Sequence, residues 1–150
     1  MSTALTLACP ACAQLNRVAD DRLEDAPVCG RCKAPLFGGA PIELTLANAR
    51  AHLERTDLPV LVDFWAAWCG PCKAMASVVA DAAAALEPHV RVCKLDTEAH
   101  ATLAATHRIQ ALPTLALFHR GRELDRFEGA TSLARLMDWV RARRPQTAGG

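Results

Sequence analysis

Cysteine placement is the feature that most limits how this chain can fold. The 150 residues include seven cysteines, and six of them form Cys-x-x-Cys pairs. Their positions along the chain are Cys9 and Cys12, Cys29 and Cys32, Cys69 and Cys72, and Cys93 alone. Because the number is odd, complete disulfide pairing within one chain is excluded. We expect thiols, metal ligands or a redox pair rather than a disulfide scaffold.

The overall composition excludes several classes of partner. Lysine and arginine number 17 against 16 acidic residues, so the formal net charge of +1 provides no basic surface for nucleic acid or an anionic membrane. No apolar stretch reaches the ~18 residues of a membrane span. Residues 1–12 lack the basic start of a secretory signal. We therefore expect a cytoplasmic monomer that binds neither nucleic acid nor membrane.

Residues 1–38 show no sustained helical or strand period. Pro10, Pro27 and Pro35 interrupt the segment, and it contains few large apolar residues. Such a segment is not expected to form an apolar core by itself. The Gly-Gly-Ala-Pro sequence at 38–41 indicates a linker, which we place at 39–41.

The first two cysteine pairs predict a metal site. Cys9-Pro-Ala-Cys12 and Cys29-Gly-Arg-Cys32 have the spacing at which two tight turns hold one ion between four thiolates. A closed site of this type without redox duty usually holds zinc, so we predict one structural zinc in a tetrathiolate site. Iron in a rubredoxin-like site, two disulfides and four unrelated buried thiols are the alternatives.

The rest of the chain predicts an α/β domain over 42–144, followed by a disordered tail at 145–150. Strand-like apolar runs alternate with segments of helical spacing in the order βαβαβαββα, starting with a strand at Ile42. This order implies a mixed central sheet sandwiched by helices. The later elements are a helix over Leu46–Arg55, a strand Val60–Trp65, a helix from Cys72 to Leu86, a strand Val90–Asp96, a helix Ala99–Thr106, strands Thr114–His119 and Glu123–Glu128, and a helix from Leu133 to Val140 capped by Thr131 or Ser132.

The third cysteine pair, Cys69-Gly70-Pro71-Cys72, lies between a predicted strand and a predicted helix. Pro71 suits the first turn of a helix, which places Cys69 at the helix start. Unpaired N–H groups and the positive end of the helix dipole stabilise a thiolate there. An exposed attacking thiol with a shielded resolving thiol suits disulfide exchange. One alternative for this pair is a third metal knuckle, which would need a further pair of ligands nearby, and the sequence has none. The other alternative is an inert pair of buried thiols.

These residues resemble a known family. Trp-Cys-Gly-Pro-Cys-Lys, preceded by Val-Asp-Phe-Trp-Ala and followed further on by Leu-Pro-Thr, resembles the thioredoxin family over approximately residues 42–143. With two cysteine knuckles in front, the chain is similar to the zinc-ribbon-bearing bacterial branch called thioredoxin-2. The resemblance implies a thioredoxin fold with an N-terminal zinc ribbon, and a protein-disulfide reductase.

The resemblance also implies roles for individual residues. Cys69 would attack the substrate disulfide, Cys72 would resolve the mixed disulfide, Asp63 would accept a proton and Lys94 would modulate Asp63. Independently of the resemblance, Asp63 is one charge in an apolar strand, so burial should raise its pKa, unless it faces water at a sheet edge. Electrons would come from NADPH through thioredoxin reductase, without a tightly bound organic cofactor.

A substrate groove follows from the same resemblance. Pro113 matches the family's cis-proline, and the carried-over groove residues are Trp68, Gly70, Pro71, Leu112, Pro113, Gly129 and Ala130. Ordinary turn and packing roles are the alternative for several of them. Ser77 departs from the family pattern, because many thioredoxins have a helix-kinking proline there.

Two residue types and two functions stay open at this stage. Cys93 is interpreted as a small buried hydrophobe, with a regulatory thiol as the alternative. The histidines lack paired ligand spacing and are expected at the surface; they are His52, His89, His100, His107 and His119. The alternative functions are a zinc-ribbon module that binds clients or acts as a chaperone with secondary redox activity, and a ribbon that is itself a redox sensor.

Overall fold

The structure is a computed structural model that describes residues 2–145. Residues 146–150, most of the tail for which we predict disorder, lie outside this range. The elements are β1 (Ala4–Ala8), β2 (Leu15–Ala19), β3 (Ile42–Glu43), α1 (Ala49–Leu53), β4 (Val60–Trp65), α2 (Gly70–Leu86), β5 (Arg91–Asp96), α3 (Ala101–Thr106), β6 (Thr114–His119), β7 (Arg122–Glu128) and α4 (Leu133–Arg143). Within the described range, no helix is long and apolar enough to cross a membrane.

Five strands form one mixed sheet in the order β3-β5-β4-β6-β7. The strands β3, β5 and β4 are parallel, β6 is antiparallel to β4, and β7 is antiparallel to β6. Helices α2 and α4 pack on one face, where Met75 and Leu136 meet Leu61 and Leu115. Helices α1 and α3 cover the other face through Leu53 and Leu103. The predicted element order and the predicted sheet between helices are both confirmed.

The predicted element bounds hold best in the sheet interior. The strands β4 and β6 have the predicted bounds, and each is an apolar run buried on both faces. Helix α1 is shorter than the predicted Leu46–Arg55. The N–H of Thr45 donates to Asn48 Oδ1 at 2.7 Å, and the N–H of Asn48 donates to Thr45 Oγ1 at 3.3 Å. These side-chain bonds form a turn that competes with the first turn of the predicted helix.

The N-terminal unit, residues 2–38, contains a hairpin that the sequence analysis did not predict. The strands β1 and β2 pair antiparallel from Ala4 opposite Ala19 to Ala8 opposite Leu15. The expectation that this segment lacks strand structure was therefore wrong. The alternating apolar pattern in β1 rests on Leu5 and Leu7 alone, which is too short a run for periodicity to identify.

The N-terminal unit also has a small apolar core, which the sequence analysis did not expect. Its buried members are Leu5, Leu7, Cys9, Val18, Leu23, Cys29, Leu36 and Leu58. Leu58 lies outside the N-terminal unit, in the loop before β4, and is completely buried. The unit therefore completes its core with a side chain from the sheet domain, residues 42–144.

Hydrogen bonds also join the N-terminal unit to the sheet domain. The N–H of Thr6 donates to Asp57 Oδ2 at 2.7 Å, and the N–H of Asp57 donates to the Thr6 carbonyl at 2.8 Å. The fully buried Arg91 donates from Nη1 to the Leu36 carbonyl at 2.9 Å. Its guanidinium carbon lies 5.2 Å from the centre of the Phe37 ring. The contact between the two parts is thus both apolar and hydrogen-bonded.

His52 corrects the expectation that the histidines lie at the surface. It is fully buried on α1, and neither ring nitrogen has a hydrogen-bond partner among the described residues. Burial, and to a smaller extent the charge of Arg91, lowers its pKa to about 4. His52 is therefore neutral near neutral pH. Its helix is too short for helical spacing to identify the buried face.

Replacing Leu58 with alanine should lower the free energy of unfolding by about 2–5 kcal/mol, because the change leaves a cavity in the shared core. The same truncation at Leu46, which is 67% exposed, should change it by less than about 0.5 kcal/mol. Urea denaturation of both variants measures the difference. A loss at Leu58 no larger than the loss at Leu46 would contradict the shared core.

Candidate active site and metal site

The third cysteine pair lies where β4 leads into α2. Cys69 has extended backbone angles (φ −86°, ψ 112°) and caps the helix, with Pro71 in the first turn. The sulfurs of Cys69 and Cys72 form a disulfide, and the Cα atoms are 5.2 Å apart. The backbone N–H of Cys72 donates to Cys69 Sγ at 3.2 Å. The pair therefore stands at a helix N-terminus, where a thiolate at Cys69 is stabilised.

Both cysteines are covered in the disulfide form. Cys69 is 3% exposed and Cys72 4%, whereas the adjacent Trp68 is 68% exposed. The expected exposure of Cys69 is thus not found, and its sulfur lies against the first turn of α2, where it accepts the N–H of Cys72. A Cβ placed on Gly70 would meet no heavy atom within 4 Å. The surface beside this glycine is therefore open.

Asp63 is buried inside the central strand, as the sequence analysis expected. It is 1% exposed, and its Oδ1 has no hydrogen-bond partner among the described residues. Burial raises its pKa to about 6; Lys94 acts in the opposite direction and Glu43 adds to the rise. Asp63 and Cys72 line one cavity of about 220 Å³, which is large enough for water. The carboxyl and the second cysteine can therefore exchange a proton through that cavity.

Lys94 lies beside Asp63 in the sheet, since the two residues are opposite each other in the register of β5 and β4. Its ammonium is 4.8 Å from the centre of the Trp65 ring, in cation–π contact. Within residues 2–145, the ion pairs closer than 4.0 Å do not include Lys94 with Asp63. Lys94 therefore acts on the carboxyl by its charge at a distance.

The other residues expected in the substrate groove lie in two places: the loop around Pro113 and Gly129, and the groove lined by Trp68 and Leu112. The Leu112–Pro113 peptide bond is cis, as the resemblance implies, and the Pro113 carbonyl accepts the N–H of Gly129 at 2.8 Å. Gly129 has a φ of 99°, a left-handed conformation that suits glycine. Trp68 and Leu112 line the same groove of about 320 Å³. Ala130 directly follows the Gly129 turn.

Glu98 is a site residue that the sequence analysis missed. Its Oε1 accepts the indole N–H of Trp68 at 2.7 Å, which fixes an otherwise exposed side chain next to Cys69. Glu98 follows the carboxyl end of β5, and Trp68 follows the carboxyl end of the parallel neighbour β4. Parallel strands end at the same sheet edge, so the sequence contained a signal for this contact.

The four N-terminal cysteines form one compact cluster. All four sulfurs lie within 4.8 Å of one another. Cys9 Sγ is 3.6 Å from Cys32 Sγ, and Cys12 Sγ is 3.7 Å from Cys29 Sγ. Tetrahedral zinc with Zn–S bonds of about 2.3 Å requires sulfurs about 3.8 Å apart. The cluster therefore fits the predicted ion, and no other group among the described residues gathers potential metal ligands in this way.

Backbone N–H groups donate hydrogen bonds to two of the four sulfurs in the cluster. The N–H of Ala11 donates to Cys9 Sγ at 3.3 Å, and the N–H of Arg31 donates to Cys29 Sγ at 3.4 Å. The pKa of Cys12 is raised to about 11: a backbone hydrogen bond at Gln14 lowers it, but desolvation and the neighbouring thiols together outweigh that bond. The pKa of Cys29 moves the other way and is lowered to about 6, first by a backbone N–H bond from Cys32. A bound dication would neutralise the four neighbouring thiolates that otherwise repel one another.

Cys93 is separate from both cysteine sites. It is completely buried within the apolar cluster on the α1 and α3 side of the sheet. Burial raises its pKa to about 12, so the residue stays a thiol near neutral pH. The structure thus supports the interpretation of Cys93 as a small apolar packing residue.

Comparison with protein families gives two matches. The thioredoxin model matches residues 40–142, and the model described as Thioredoxin 2, N-terminal, matches residues 8–34. The fold is a mixed sheet between helices, and its site combines a disulfide at a helix N-terminus with a buried carboxyl. This combination defines a dithiol–disulfide oxidoreductase.

Individual relatives agree with these matches. Thioredoxin C-3 of Corynebacterium nephridii is 39% identical over 136 residues, which cover 91% of this chain and 93% of that protein. Chloroplastic thioredoxin Y2 of Arabidopsis thaliana is 41% identical and covers 71% of this chain and 64% of its own length. A mutant thioredoxin from Halobacterium salinarum has a similar structure, with a TM-score of 0.64, 26% identity, and coverage of 73% of this chain and 95% of that one.

The chain belongs to the thioredoxin family, and its thioredoxin fold follows the N-terminal zinc ribbon domain of thioredoxin 2. It is a disulfide oxidoreductase, as the sequence analysis predicted.

Replacing Asp63 with asparagine should stabilise the folded protein as the pH rises. The carboxyl has a pKa of about 6 when folded, against an ordinary value of 3.8, so stability present below about pH 3.8 is lost as the pH rises through 6. The loss is on the order of 3 kcal/mol. The free energy of unfolding of D63N relative to wild type should therefore increase by that amount between about pH 3.5 and pH 8. Urea denaturation of both proteins at the two pH values measures the change.

The same substitution at Asp138, exposed on α4, provides the control and should show no comparable gain. A pH-independent difference between D63N and wild type would show that the carboxyl does not titrate as its burial requires.

Proposed function

We propose that this chain reduces protein disulfides, with Cys69 as the nucleophile and Cys72 as the resolving cysteine. The Cys69 thiolate attacks one sulfur of the substrate disulfide, forms a mixed disulfide and releases the first substrate thiolate. Cys72 then attacks Cys69 Sγ and releases the second substrate thiolate. The product is the Cys69–Cys72 disulfide, and the substrate has gained two electrons. The disulfide at the N-terminus of α2 is the observation that carries this proposal.

Asp63 is proposed as the proton acceptor for Cys72. Cys72 attacks as a thiolate, so its proton must leave during the second step. The shared cavity gives the proton a path through water to a carboxyl whose pKa of about 6 lies close to neutral pH. Lys94 acts by keeping part of the Asp63 population charged and thus able to accept the proton.

The substrate is proposed to bind across the disulfide in an extended form. Trp68 and Leu112 line a groove. The next residue, Pro113, accepts a backbone hydrogen bond from Gly129, which Ala130 follows. Gly70 and Pro71 lie between the two cysteines, and the space beside Gly70 is open for a substrate backbone. Backbone groups near Pro113 suit a substrate of any sequence, which fits a general reductase.

Electrons are proposed to come from NADPH through a thioredoxin reductase, without a tightly bound organic cofactor in this chain. A bifunctional thioredoxin reductase/thioredoxin of Mycobacterium leprae is 38% identical over 99 residues, 66% of this chain and 22% of that protein. The proposed location is the cytoplasm and the proposed state is a monomer.

The N-terminal cysteine cluster is proposed to hold one structural zinc through Cys9, Cys12, Cys29 and Cys32. When bound, zinc would supply a cross-link between the two knuckles and no redox chemistry. We divide the chain into a zinc ribbon at 1–38, a linker at 39–41, a thioredoxin domain at 42–144 and a tail at 145–150. The sulfur spacing and the ribbon match at 8–34 support this assignment.

Serine substitution should separate the two cysteines by role. C69S should abolish insulin reduction, because no nucleophile remains, while C72S should accumulate a mixed disulfide visible by mass spectrometry. Replacing the buried Cys93 with alanine is the control and should retain turnover. Wild-type turnover by C69S would overturn the proposed mechanism.

Freshly purified protein should contain one zinc per chain by elemental analysis. C12S and C32S, which alter the exposed ligands, should lose the metal and lower the melting temperature, since metal binding and folding of the ribbon are coupled. Cys93→Ala should keep its zinc. Protein without near-stoichiometric metal would refute the site, and stoichiometric iron would refute the choice of zinc.

A further inference from the structure

Three charged side chains stand side by side across the sheet next to the active-site cavity. In the strand register, Glu43 of β3 is opposite Lys94 of β5, and Lys94 is opposite Asp63 of β4. We call these three residues the charge row. Two members, Asp63 and Lys94, line the cavity that contains Cys72, and Glu43 occupies the outer end on the edge strand.

All three side chains of the charge row point to the face that α2 covers. Successive side chains of a strand alternate between faces. The residues that flank the row all belong to the apolar cluster on the opposite face; they are Ile42, Leu44, Cys93, Leu95, Val62 and Phe64. Lys94 therefore has one carboxylate on each side, on the same face of the sheet.

The two carboxylates differ in their environment. Asp63 is buried, whereas Glu43 is exposed to solvent on the edge strand. Within the described residues, neither of them forms an ion pair with Lys94 shorter than 4.0 Å. The ammonium lies over the Trp65 ring and is not committed to one partner. The positive charge of Lys94 can consequently act on both carboxylates.

We propose that Glu43 is a positioning residue of the proton transfer, which shares the charge of Lys94 with Asp63 across the charge row. The inference rests on the proposed role of Asp63 as proton acceptor for Cys72. Glu43 touches neither substrate nor the reacting sulfurs, and acts only through the charge row.

The groups around Asp63 are consistent with a pKa that Glu43 helps to raise. From β5 comes Lys94, from β3 comes Glu43, from α2 come Cys72 and Lys73, and from β6 comes the apolar Leu115, which is opposite Asp63 in the register. Burial is the largest cause of the raised pKa of Asp63, Lys94 opposes it, and Glu43 supports it. If the charge of Glu43 is removed, Lys94 should therefore lower the pKa of Asp63 further.

The size of the effect follows from the strand spacing. Two steps of about 4.8 Å place the Glu43 and Asp63 backbones roughly 10 Å apart. At that distance, and with an effective dielectric constant between about 20 and 80, one unit charge moves a pKa by about 0.3–1 unit. A shift of this size is measurable by NMR.

The experiment titrates the Asp63 carboxyl carbon by NMR in the full-length oxidised protein, with D63N used to assign the signal. E43Q should lower the pKa of Asp63 by about 0.3–1 unit, and E43K should lower it further. E43D, which retains the charge, should keep the wild-type value. The matched control is E54Q, which removes an exposed glutamate charge at the end of α1, outside the charge row.

A second measurement repeats the titrations of wild type and E43Q at high ionic strength. Raising the salt concentration to about 1 M shortens the screening length to about 3 Å and should shrink the difference between the two proteins. An Asp63 titration that is the same in wild type and E43Q at low salt would overturn the inference. Equal shifts in E43Q and E54Q would overturn it too, because they would reflect net charge alone.

The outcomes separate this inference from the proposed mechanism. If E43Q lowers the pKa of Asp63 and moves the pH profile of insulin reduction downward by a similar amount, both stand. If the carboxyl titration moves and the pH profile does not, Glu43 has the proposed effect while Asp63 is not the proton acceptor.

Discussion

Strand β4 is the constraint on which the rest of the structure depends. It is hydrogen-bonded to β5 on one side and β6 on the other, and its residues from Val60 to Phe64 are buried. This strand fixes the Asp63 carboxyl between apolar neighbours, and its carboxyl end leads through a short turn to Cys69 at the start of α2. A single rigid segment therefore sets the distance between the buried acid and the redox disulfide, and burial rather than any ion pair sets the proton affinity of the acid.

The N-terminal unit is ordered by a different combination of forces. Its apolar core is small, and the hairpin of β1 and β2 would be marginal as an isolated pair of strands. The four sulfurs converge in one cluster, and Leu58 packs in the same small core as Cys9 and Cys29, while Arg91 of the sheet domain donates to the Leu36 carbonyl. Metal binding and contact with the sheet domain thus both order the same segment.

The sheet interior and the cysteine roles could be predicted from the sequence because each depends on a local pattern. The apolar run Val60–Trp65 and the Cys-Gly-Pro-Cys spacing carry their structural meaning within a few residues. His52 and Glu98 could not be assigned in this way, because their surroundings come from segments distant in the chain. The hairpin of β1 and β2 was missed because the buried pattern of β1 depends on two leucines and on a core completed by Leu58. The burial of Cys69 depends on the folded turn at the start of α2, which composition and spacing do not report.

The buried guanidinium of Arg91 limits whether the zinc ribbon can be transferred to another protein. Transplanting the ribbon onto another thioredoxin by joining the chains at the linker would separate Leu36 from Arg91 and expose Leu58. A recipient that lacks both side chains would offer the graft no matching surface. The donor scaffold, in turn, would keep a charge in its interior without its carbonyl partner. A transplanted ribbon would therefore need its contact residues from the sheet domain, among them Asp57, Leu58 and Arg91, and not only the segment that ends at the linker.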